Sequence, residues 1–405
     1  MKIFRQFFLV TFFSFLLIIT TLSIARHYYL GGPKLNGKEE VFNFLSELLP
    51  DTYDFIKYKG ILVENLLVES KKDINAKQFN VPGLFPYLTV DGWVILDQTE
   101  KSKNIIPIEW EKFRKNHLKF NIGTTKINSK YAAPPINPIK CSQNLIFNLG
   151  SVLFKYNFLT KSQAVFEGDY HHSIELFQDS LLYACSFGKD TLPNLNDAIM
   201  IMNLNTMKQV FQKSISEILV ENNYKGLLYG TSKILKKVVA SRDIVHLNDI
   251  QPIKRKTNFA EVGDVIINMR HLSSIMLCRP QTNKVLWLSQ GPWFNQHNVD
   301  VINENEIGVF KNNYIKEIGF YKNESSQIIT YNFKTQKYGT LHKTTFEELN
   351  IKASYVSRFE ILDNGNKFVE DSRAGDYYLI KYDGKLVARK KFHFRDNKSS
   401  MLVWA

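Results

Sequence analysis

The amino-acid sequence predicts an all-β protein that folds as a β-propeller. From about residue 59 onward, short runs rich in Val, Ile, Leu, Tyr and Phe alternate with Asn, Asp, Gly and Lys, which is typical of strands and turns. A unit of two hairpins occurs four times, and long helical patterns are nearly absent. A β-sandwich also explains alternating strands, but it gives no reason for the same unit to return. We therefore favour radially repeated sheets.

The composition allows a large buried core and indicates a basic surface. The chain has 405 residues, 44% of them hydrophobic, which exceeds one ordinary compact domain unless the fold is a large sheet assembly. The formal net charge of +13 fits either an anionic partner or a solvated basic surface. Because the basic residues are scattered and form only short clusters such as "KRK", we expect no nucleic-acid partner.

The first 26 residues predict a membrane-anchor helix. Lys2 and Arg5 precede an uncharged run of 19 residues, 7–25, and Arg26 follows it. Such a run nearly spans a bilayer core as a helix, so we assign residues 1–26 as an N-terminal signal anchor. A cleaved signal peptide is the alternative, because small residues end the run. In both cases the basic end stays in the cytoplasm, and the bulk of the chain is exported, to the periplasmic face of the inner membrane in a bacterium.

Residues 27–58 predict a short helical linker between this anchor and the propeller domain, which we place at 59–405. The stretch "KEEVFNFLSELLP" carries apolar residues at roughly helical spacing, and Pro50 ends it.

Four segments of the propeller domain align with one another. They begin at His172, His246, His297 and Ser357, with spacings of 74, 51 and 60 residues. Each has a polar opener, an alternating apolar stretch, a polar turn and a second apolar strand. A second hairpin follows each segment, as in "KYDGKLV" with its turn at Asp383 and Gly384. Two hairpins make one four-stranded blade.

Three histidines open their repeats at matching positions. Equivalent ends of the innermost strands of a propeller converge on the central channel, so His172, His246 and His297 are expected to meet there. His171 precedes His172 directly, and strand alternation lets only one of two neighbours face the channel. The register with the other two openers favours His172. A repeated structural histidine is the alternative explanation.

An arginine and an amide are predicted to join these histidines. Arg270 ends the strand "DVIINMR", and Asn248 lies two residues after His246, on the same strand face. A guanidinium, an amide and several imidazoles together suit a tetrahedral anion such as sulfate or phosphate. Clustered histidines also hold zinc or copper, but a neighbouring arginine opposes a bound cation. We therefore predict neither a metal ion nor a cofactor.

The motifs at these positions resemble those of the bacterial arylsulfotransferases. The matching pieces, in the order of the family, are "HHSIE" at 171–175, "HLND" at 246–249, "INMRHLSSIMLC" at 267–278, "KVLWLSQGPWFNQHNVDVINENEIGVFKNN" at 284–313 and "SRFEILDNGN" at 357–366. The resemblance covers about residues 160–395. The first 150 residues show few pieces typical of the family, and the predicted anchor departs from a plain exported enzyme.

The resemblance implies a six-bladed propeller that transfers a sulfuryl group from an aryl sulfate to a phenol without the nucleotide donor PAPS. It implies that His297 is transiently sulfurylated. It further implies that His246, Asn248, Arg270 and His172 contact the sulfuryl oxygens and assist the departing and attacking phenolic oxygens.

Elementary chemistry agrees with such a transfer. Neutral imidazole is a good nucleophile near pH 7, and two displacements through a covalent intermediate make a ping-pong scheme. Trp293 and Phe294 either wall an aromatic donor or pack the blade. The alternative function is a non-catalytic envelope propeller that binds an anionic or aromatic ligand, or a protein partner, through the same channel.

Overall fold

The computed structural model describes the chain in blocks of strand, turn and short helix. The described residues are 83–89, 92–98, 103–107, 135–149, 152–188, 195–229, 244–315, 319–320, 324–353, 357–362, 364–372, 374–391, 393–394 and 398–399. The predicted anchor, the linker and the start of the propeller domain at residue 59 lie outside these residues and stay predictions. None of the helices within the described blocks has both the length and the apolar character of a membrane span.

The described strands form antiparallel sheets in chain order. A three-stranded sheet contains β1 (Gly83–Thr89), β2 (Gly92–Gln98) and β3 (Lys103–Pro107). Blade I contains β4 (Pro135–Cys141), β5 (Asn144–Leu149), β6 (Val152–Asn157) and β7 (Gln163–Glu167). Blade II contains β8 (Tyr170–Phe177), β9 (Leu181–Phe187), β10 (Asp197–Asn203) and β11 (Lys208–Ser214). Blade III contains β12 (Leu247–Pro252), β13 (Val265–Met269), β14 (Ser274–Arg279) and β15 (Lys284–Gln290).

The last two blades complete the set of four-stranded sheets. Blade IV contains β16 (Gln296–Asn303), β17 (Glu306–Lys311), β20 (Gln327–Asn332) and β21 (Lys337–Leu341), with the short pair β18 (Tyr314–Ile315) and β19 (Gly319–Phe320) inserted. Blade V contains β22 (Phe359–Ile361), β23 (Lys367–Asp371), β24 (Asp376–Ile380) and β25 (Leu386–Lys391). A final pair contains β26 (His393–Phe394) and β27 (Lys398–Ser399).

The arrangement of the blades confirms the β-propeller. The first strands of blades I to V contact one another in sequence, β4 with β8, then β12, β16 and β22, so they form the inner side of the fold. The four aligned segments of the sequence correspond to blades II to V, each built from two hairpins. The turn of the last hairpin lies where the sequence predicts it, with Gly384 at φ +91°.

The predicted number of six blades is wrong for the described residues, which form five four-stranded blades. The sheet of β1 to β3 contacts blade I through β1 and β4, but it has three strands and falls short of the four-stranded unit. The number of six blades came from the family that the sequence resembles, whereas alignment within the chain found four units. Blade I was missed because its inner strand, "PINPIKC", begins with prolines and has no histidine opener.

The hydrophobic core lies between neighbouring blades. Successive residues of one strand enter different clusters, because strand side chains alternate between the two faces of a sheet. In β13, Ile267 packs with Ile199 of blade II, while Ile266 packs with Val309 of blade IV. Strands buried on both faces therefore read as nearly continuous apolar runs, such as "VIINM".

Carboxylates on inner strands also join neighbouring blades. Oδ2 of Asp249 accepts a hydrogen bond of 2.8 Å from the backbone amide of Val299 in the next blade. Oδ2 of Asp300 likewise accepts one of 2.8 Å from the amide of Ile361. These matched contacts satisfy backbone donors that face a neighbouring blade.

Three short α-helices and one 3-10 turn connect the strands in the described blocks. They are α1 (Ile215–Glu221), α2 (Lys225–Tyr229), the 3-10 turn Pro280–Thr282 and α3 (Lys343–Glu348). Helix α1 begins with a capping box, in which Ser214 accepts from the amide of Glu217 and Glu217 accepts from the amide of Ser214. Ser214 and Glu217 have the Ser-x-x-Glu spacing that is typical of such a box.

A left-handed residue recurs near the start of four inner strands. The φ angle is +53° at Asn137, +49° at His172, +51° at His246 and +51° at Asn295. The strand register shifts around or directly after each of these residues, which marks a β-bulge. Asn and His tolerate this conformation better than most residues. The bulges interrupt the strict alternation of side chains at this end of the inner strands.

Candidate functional site

The structure brings four of the five predicted site residues together at the bulged ends of the inner strands. The rings of His172 and His246 lie 5.0 Å apart between centroids. Nη1 of Arg270 lies 3.4 Å from Nε2 of His246. His297 lies close enough to His172, His246 and Arg270 for their charges to act on one another.

His297 is the most deeply buried residue of this histidine cluster, with 3% of its surface exposed. Its Nδ1 atom lies 2.6 Å from Oδ1 of Asn312 and 3.0 Å from the backbone oxygen of Asn295. The Nδ2 atom of Asn312 donates to the oxygen of Ala353, which orients the amide so that its oxygen faces the ring. Two acceptors at Nδ1 place the proton on that nitrogen. The lone pair of neutral His297 is therefore on Nε2.

Arg270 is oriented from both sides of its guanidinium. Its Nε atom donates to Oδ1 of Asn295 at 3.0 Å, and the amide nitrogen of Asn295 donates in turn to the backbone oxygen of Tyr314. A guanidinium has donors only, so Nε2 of His246 is the acceptor of the Nη1 contact. Asn295 thus contacts Arg270 through its side chain and His297 through its backbone.

His246 and His172 extend the cluster in two directions. The ring of His246 stacks on that of the exposed His271 with centroids 4.4 Å apart. Nδ1 of His172 lies 2.8 Å from Nδ1 of His171. The site therefore runs from an exposed imidazole at His271 to the buried imidazole of His297.

Burial and positive neighbours keep the key imidazoles neutral. The pKa of His297 is lowered to about 3, first by burial and then by the charge of Arg270. Burial also lowers the pKa of His172 well below its ordinary value, and the neighbouring histidines and Arg270 lower it further. Arg270 thus supplies a permanent positive charge among neutral rings, which suits a bound anion.

Asn248 lies beside the cluster, bonded to the backbone of the residue that precedes His297, and its predicted contact with a sulfuryl group stays a prediction. Its amide is fully buried, and Nδ2 donates to the backbone oxygen of Gln296 at 2.8 Å, which links the inner strands of blades III and IV. The prediction assumed that residues two apart share a strand face. The bulge between Leu247 and Asp249 adds a residue at Asn248, and this assumption fails there.

The register of the histidines also differs from the sequence alignment. Relative to the left-handed residue and the following bulge, the counterpart of His246 in blade IV is Asn295, and His297 lies two residues later. An alignment of the first residues of the repeats does not reveal the extra residue of each bulge. His297 occupies the bulge of its own strand, at the position that Asn248 has in blade III.

The two aromatic residues before His297 have different surroundings. Trp293 is 1% exposed, packs in the core between blades III and IV, and donates from Nε1 to the oxygen of Ser273. Of the two alternatives, packing of the blade is therefore the one that the structure shows for Trp293. Phe294 is partly exposed, and Nζ of Lys311 lies 4.8 Å from its ring centre.

Four residues of the site were not predicted, namely His171, His271, Asn295 and Asn312. His171 was set aside by strand alternation, which the left-handed His172 breaks. His271 directly follows Arg270, and this adjacency was a usable signal. Asn295 precedes "QH" at a turn, where Asn commonly takes a left-handed conformation. Nothing in the sequence distinguishes Asn312 from its neighbour Asn313.

The fold and the site define a class, a β-propeller with an arginine and several histidines gathered at the ends of its inner strands. No three His, Cys, Asp or Glu side chains in the described part of the chain are grouped so as to hold a metal ion. The family model of the arylsulfotransferases (ASST) matches residues 151–393, more than half of the chain. The protein belongs to the arylsulfotransferase family. No curated protein matches the chain.

Several solved structures match the chain at low sequence identity. A protein of unknown function from Bacteroides caccae shares 9% identity over 76% of this chain and 92% of its own, with a TM-score of 0.48. The WD40 β-propeller domain of Doa1 shares 10% identity over 80% of this chain and 91% of its own, with a TM-score of 0.44. Hydrazine synthase of Kuenenia stuttgartiensis shares 10% identity over 78% of this chain and 81% of its own, with a TM-score of 0.41.

Proposed function

We propose that the protein transfers a sulfuryl group from an aryl sulfate to a phenol, without PAPS, through a sulfohistidine at His297. The observation that carries this proposal is the neutral state of His297, with its proton on Nδ1 between two acceptors and its lone pair on Nε2. Membership of the arylsulfotransferase family supports the substrate class. The charge of Arg270 within the same cluster supports an anionic donor.

In the first step, Nε2 of His297 attacks the sulfur of the aryl sulfate. A nitrogen–sulfur bond forms while the bond between sulfur and the aryl oxygen breaks, and the electron pair leaves with the phenolate. Arg270 and His246 stabilise the negative charge on the sulfuryl oxygens, because a guanidinium and an imidazole N–H can donate hydrogen bonds to them. The departing phenolate takes a proton from a neighbouring imidazole or from water.

In the second step, the oxygen of the acceptor phenol attacks the same sulfur. The oxygen–sulfur bond forms, the nitrogen–sulfur bond breaks, and His297 recovers its lone pair on Nε2. The phenolic proton must leave as its oxygen becomes bonded, and His172 is the neutral imidazole of the cluster that we assign to receive it. The two displacements use one nucleophile and make a ping-pong scheme.

The test is a comparison of the full-length protein with its His297→Ala variant. Without an acceptor, we expect the wild type to release one equivalent of phenol from a chromogenic aryl sulfate in a burst, and continued release should require an acceptor. His297→Ala should keep the fold by circular dichroism and lose transfer. His342→Ala is the matched control, because it removes another partly buried histidine outside the cluster.

A covalent label separates this proposal from the binding propeller. With a donor that carries radioactive sulfur, we expect one sulfuryl group per wild-type chain and none on His297→Ala. Transfer by the alanine variant at the wild-type rate would refute the sulfohistidine. Saturable binding of aryl sulfates without label or turnover would instead support the non-catalytic propeller.

A further inference from the structure

A chain of contacts leads from the histidine cluster to a buried carboxylate. Nδ1 of His172 lies 2.8 Å from Nδ1 of His171, and Nε2 of His171 lies 3.2 Å from Oδ1 of Asp197. Asp197 begins strand β10, two strands away from β8, which carries both histidines. Asp197 therefore belongs to the same blade as both histidines and lies within reach of His171.

The carboxylate is held by a second contact. Oδ2 of Asp197 accepts a hydrogen bond of 3.1 Å from the backbone amide of Leu247, at the start of the inner strand of blade III. Oδ1 is therefore the oxygen that faces His171. The approach of Nε2 to Oδ1 is an ion-pair contact, not an aligned hydrogen bond. Catalytic hydrogen bonds are often loose before substrate binds.

These contacts favour one tautomer of each neutral ring. A carboxylate at Nε2 of His171 favours the proton on that nitrogen, which leaves Nδ1 of His171 as an acceptor. Since the Nδ1 atoms of the two rings lie at hydrogen-bond distance, Nδ1 of His172 must be the donor. Neutral His172 then has its lone pair on Nε2.

We propose that Asp197 and His171 are positioning residues that prepare His172 as the base for the acceptor phenol and that relay its proton away. This inference rests on the proposed function. When the acceptor attacks, its proton bonds to Nε2 of His172, the Nδ1 proton of His172 moves to Nδ1 of His171, and the Nε2 proton of His171 moves to Asp197 or to water. His171 stacks on Phe187, which is 40% exposed, so the relay ends near solvent.

The charged and titratable groups that face His172 come from several elements. They are His171 on the same strand, His246 before β12, Arg270 after β13 and His297 on β16. All of these act to lower its affinity for a proton, so a proton taken from the acceptor is unstable on His172. A relay toward Asp197 removes it.

Asp197→Asn tests the relay, because the two side chains have nearly the same shape. The amide oxygen can still accept from Leu247, while the amide nitrogen faces His171 as a donor. His171 would then carry its proton on Nδ1, and His172 would be forced to carry its proton on Nε2, where it cannot act as a base. Ser216→Ala is the matched control, since Ser216 bonds to the oxygen of Leu195, two residues before Asp197.

Two measurements on the full-length protein decide the matter. Nitrogen-15 NMR of labelled histidines should show His172 protonated on Nδ1 in the wild type and in Ser216→Ala, and on Nε2 in Asp197→Asn. Transfer to phenol itself should fall about a hundredfold in Asp197→Asn, the usual contribution of a general base. The fall should nearly vanish with a nitrophenol that is already ionised at the assay pH, and the burst of the first step should be unchanged.

Each outcome has one meaning. An unchanged tautomer in Asp197→Asn, or an equal loss with neutral and ionised acceptors, would overturn the relay. A wild-type protein without sulfuryl transfer would overturn the proposed function, and the NMR result would then report the tautomer alone.

Discussion

The hydrogen bond between His297 and Asn312 predicts how the reaction responds to pH. In the wild type, burial and Arg270 lower the pKa of His297 to about 3, so its imidazole stays neutral down to acidic pH. Asn312→Asp places a carboxylate where the amide oxygen now lies, 2.6 Å from Nδ1. We expect the carboxylate to stabilise the imidazolium and to raise the pKa of His297.

The size of the change follows from the proximity of the two groups. An opposite charge at this range raises a histidine pKa by about 1 to 3 units, which places that of the variant at about 4 to 6. At the upper end, about nine-tenths of His297 would be protonated at pH 5, and the first step would slow about tenfold relative to pH 8. The wild-type rate should be flat over the same interval if only His297 titrates.

The assay is the single-turnover release of phenol from a chromogenic aryl sulfate between pH 4 and pH 9. Asn312 also donates to the oxygen of Ala353, and aspartate loses this bond. Ser326→Ala is therefore the control, because Ser326 bonds to the backbone oxygens of Asn312 and Ala353 without contacting His297. We expect Ser326→Ala to lower the free energy of unfolding without changing how the single-turnover rate depends on acidic pH.

The reasoning would be refuted if the single-turnover rate depended on acidic pH in the same way in Asn312→Asp and in the wild type. Such a result would mean that the Nδ1 contact does not govern the protonation of His297 in the reacting enzyme.

Two further predictions concern stability. Burial raises the pKa of Asp300 from 3.8 to about 7, so between these values the folded protein binds a proton that the unfolded chain does not, and stability falls as pH rises. Relative to Asp300→Asn, the wild type should lose about 1.4 kcal/mol per pH unit in this window, measured by urea unfolding, and parallel curves would contradict this. Arg389→Ala removes two hydrogen bonds, at 3.0 and 2.6 Å, from the fully buried carboxylate of Asp376, which keeps the Tyr378 hydroxyl at 3.4 Å and Nζ of Lys391 at 3.9 Å. It should lower the free energy of unfolding by about 1.5 to 3 kcal/mol. The exposed Lys385→Ala should show no measurable change.

Much of the fold was predictable from the sequence, because strand alternation and hairpin turns are local properties. The openers His172, His246 and His297 located three blades and three members of the site. Blade I has no such opener, and its bulge falls at Asn137 instead. The sequence reveals which residues can tolerate a left-handed backbone but not where a bulge adds a residue.

The remaining parts of the site depend on contacts between distant segments. Asn312 is important because its oxygen lies 2.6 Å from His297, and that distance depends on how the backbone oxygen of Ala353 orients its amide. Asp197 reaches His171 only because β10 and β8 belong to one blade. Neither relation has a motif, and an asparagine or an aspartate in a strand is otherwise unremarkable.

The gradient of exposure across the cluster limits how a substrate can enter it. His271 is exposed, His246 and Arg270 are partly exposed, and His297 is buried. On the proposed reaction, the sulfuryl group must reach Nε2 of His297, so it enters first and the aryl group stays toward His271. A departing phenol then leaves by the exposed side, and the acceptor can reach the sulfur from that same side. On the proposed reaction, a ping-pong order lets the donor and the acceptor approach the buried nucleophile from this side in turn.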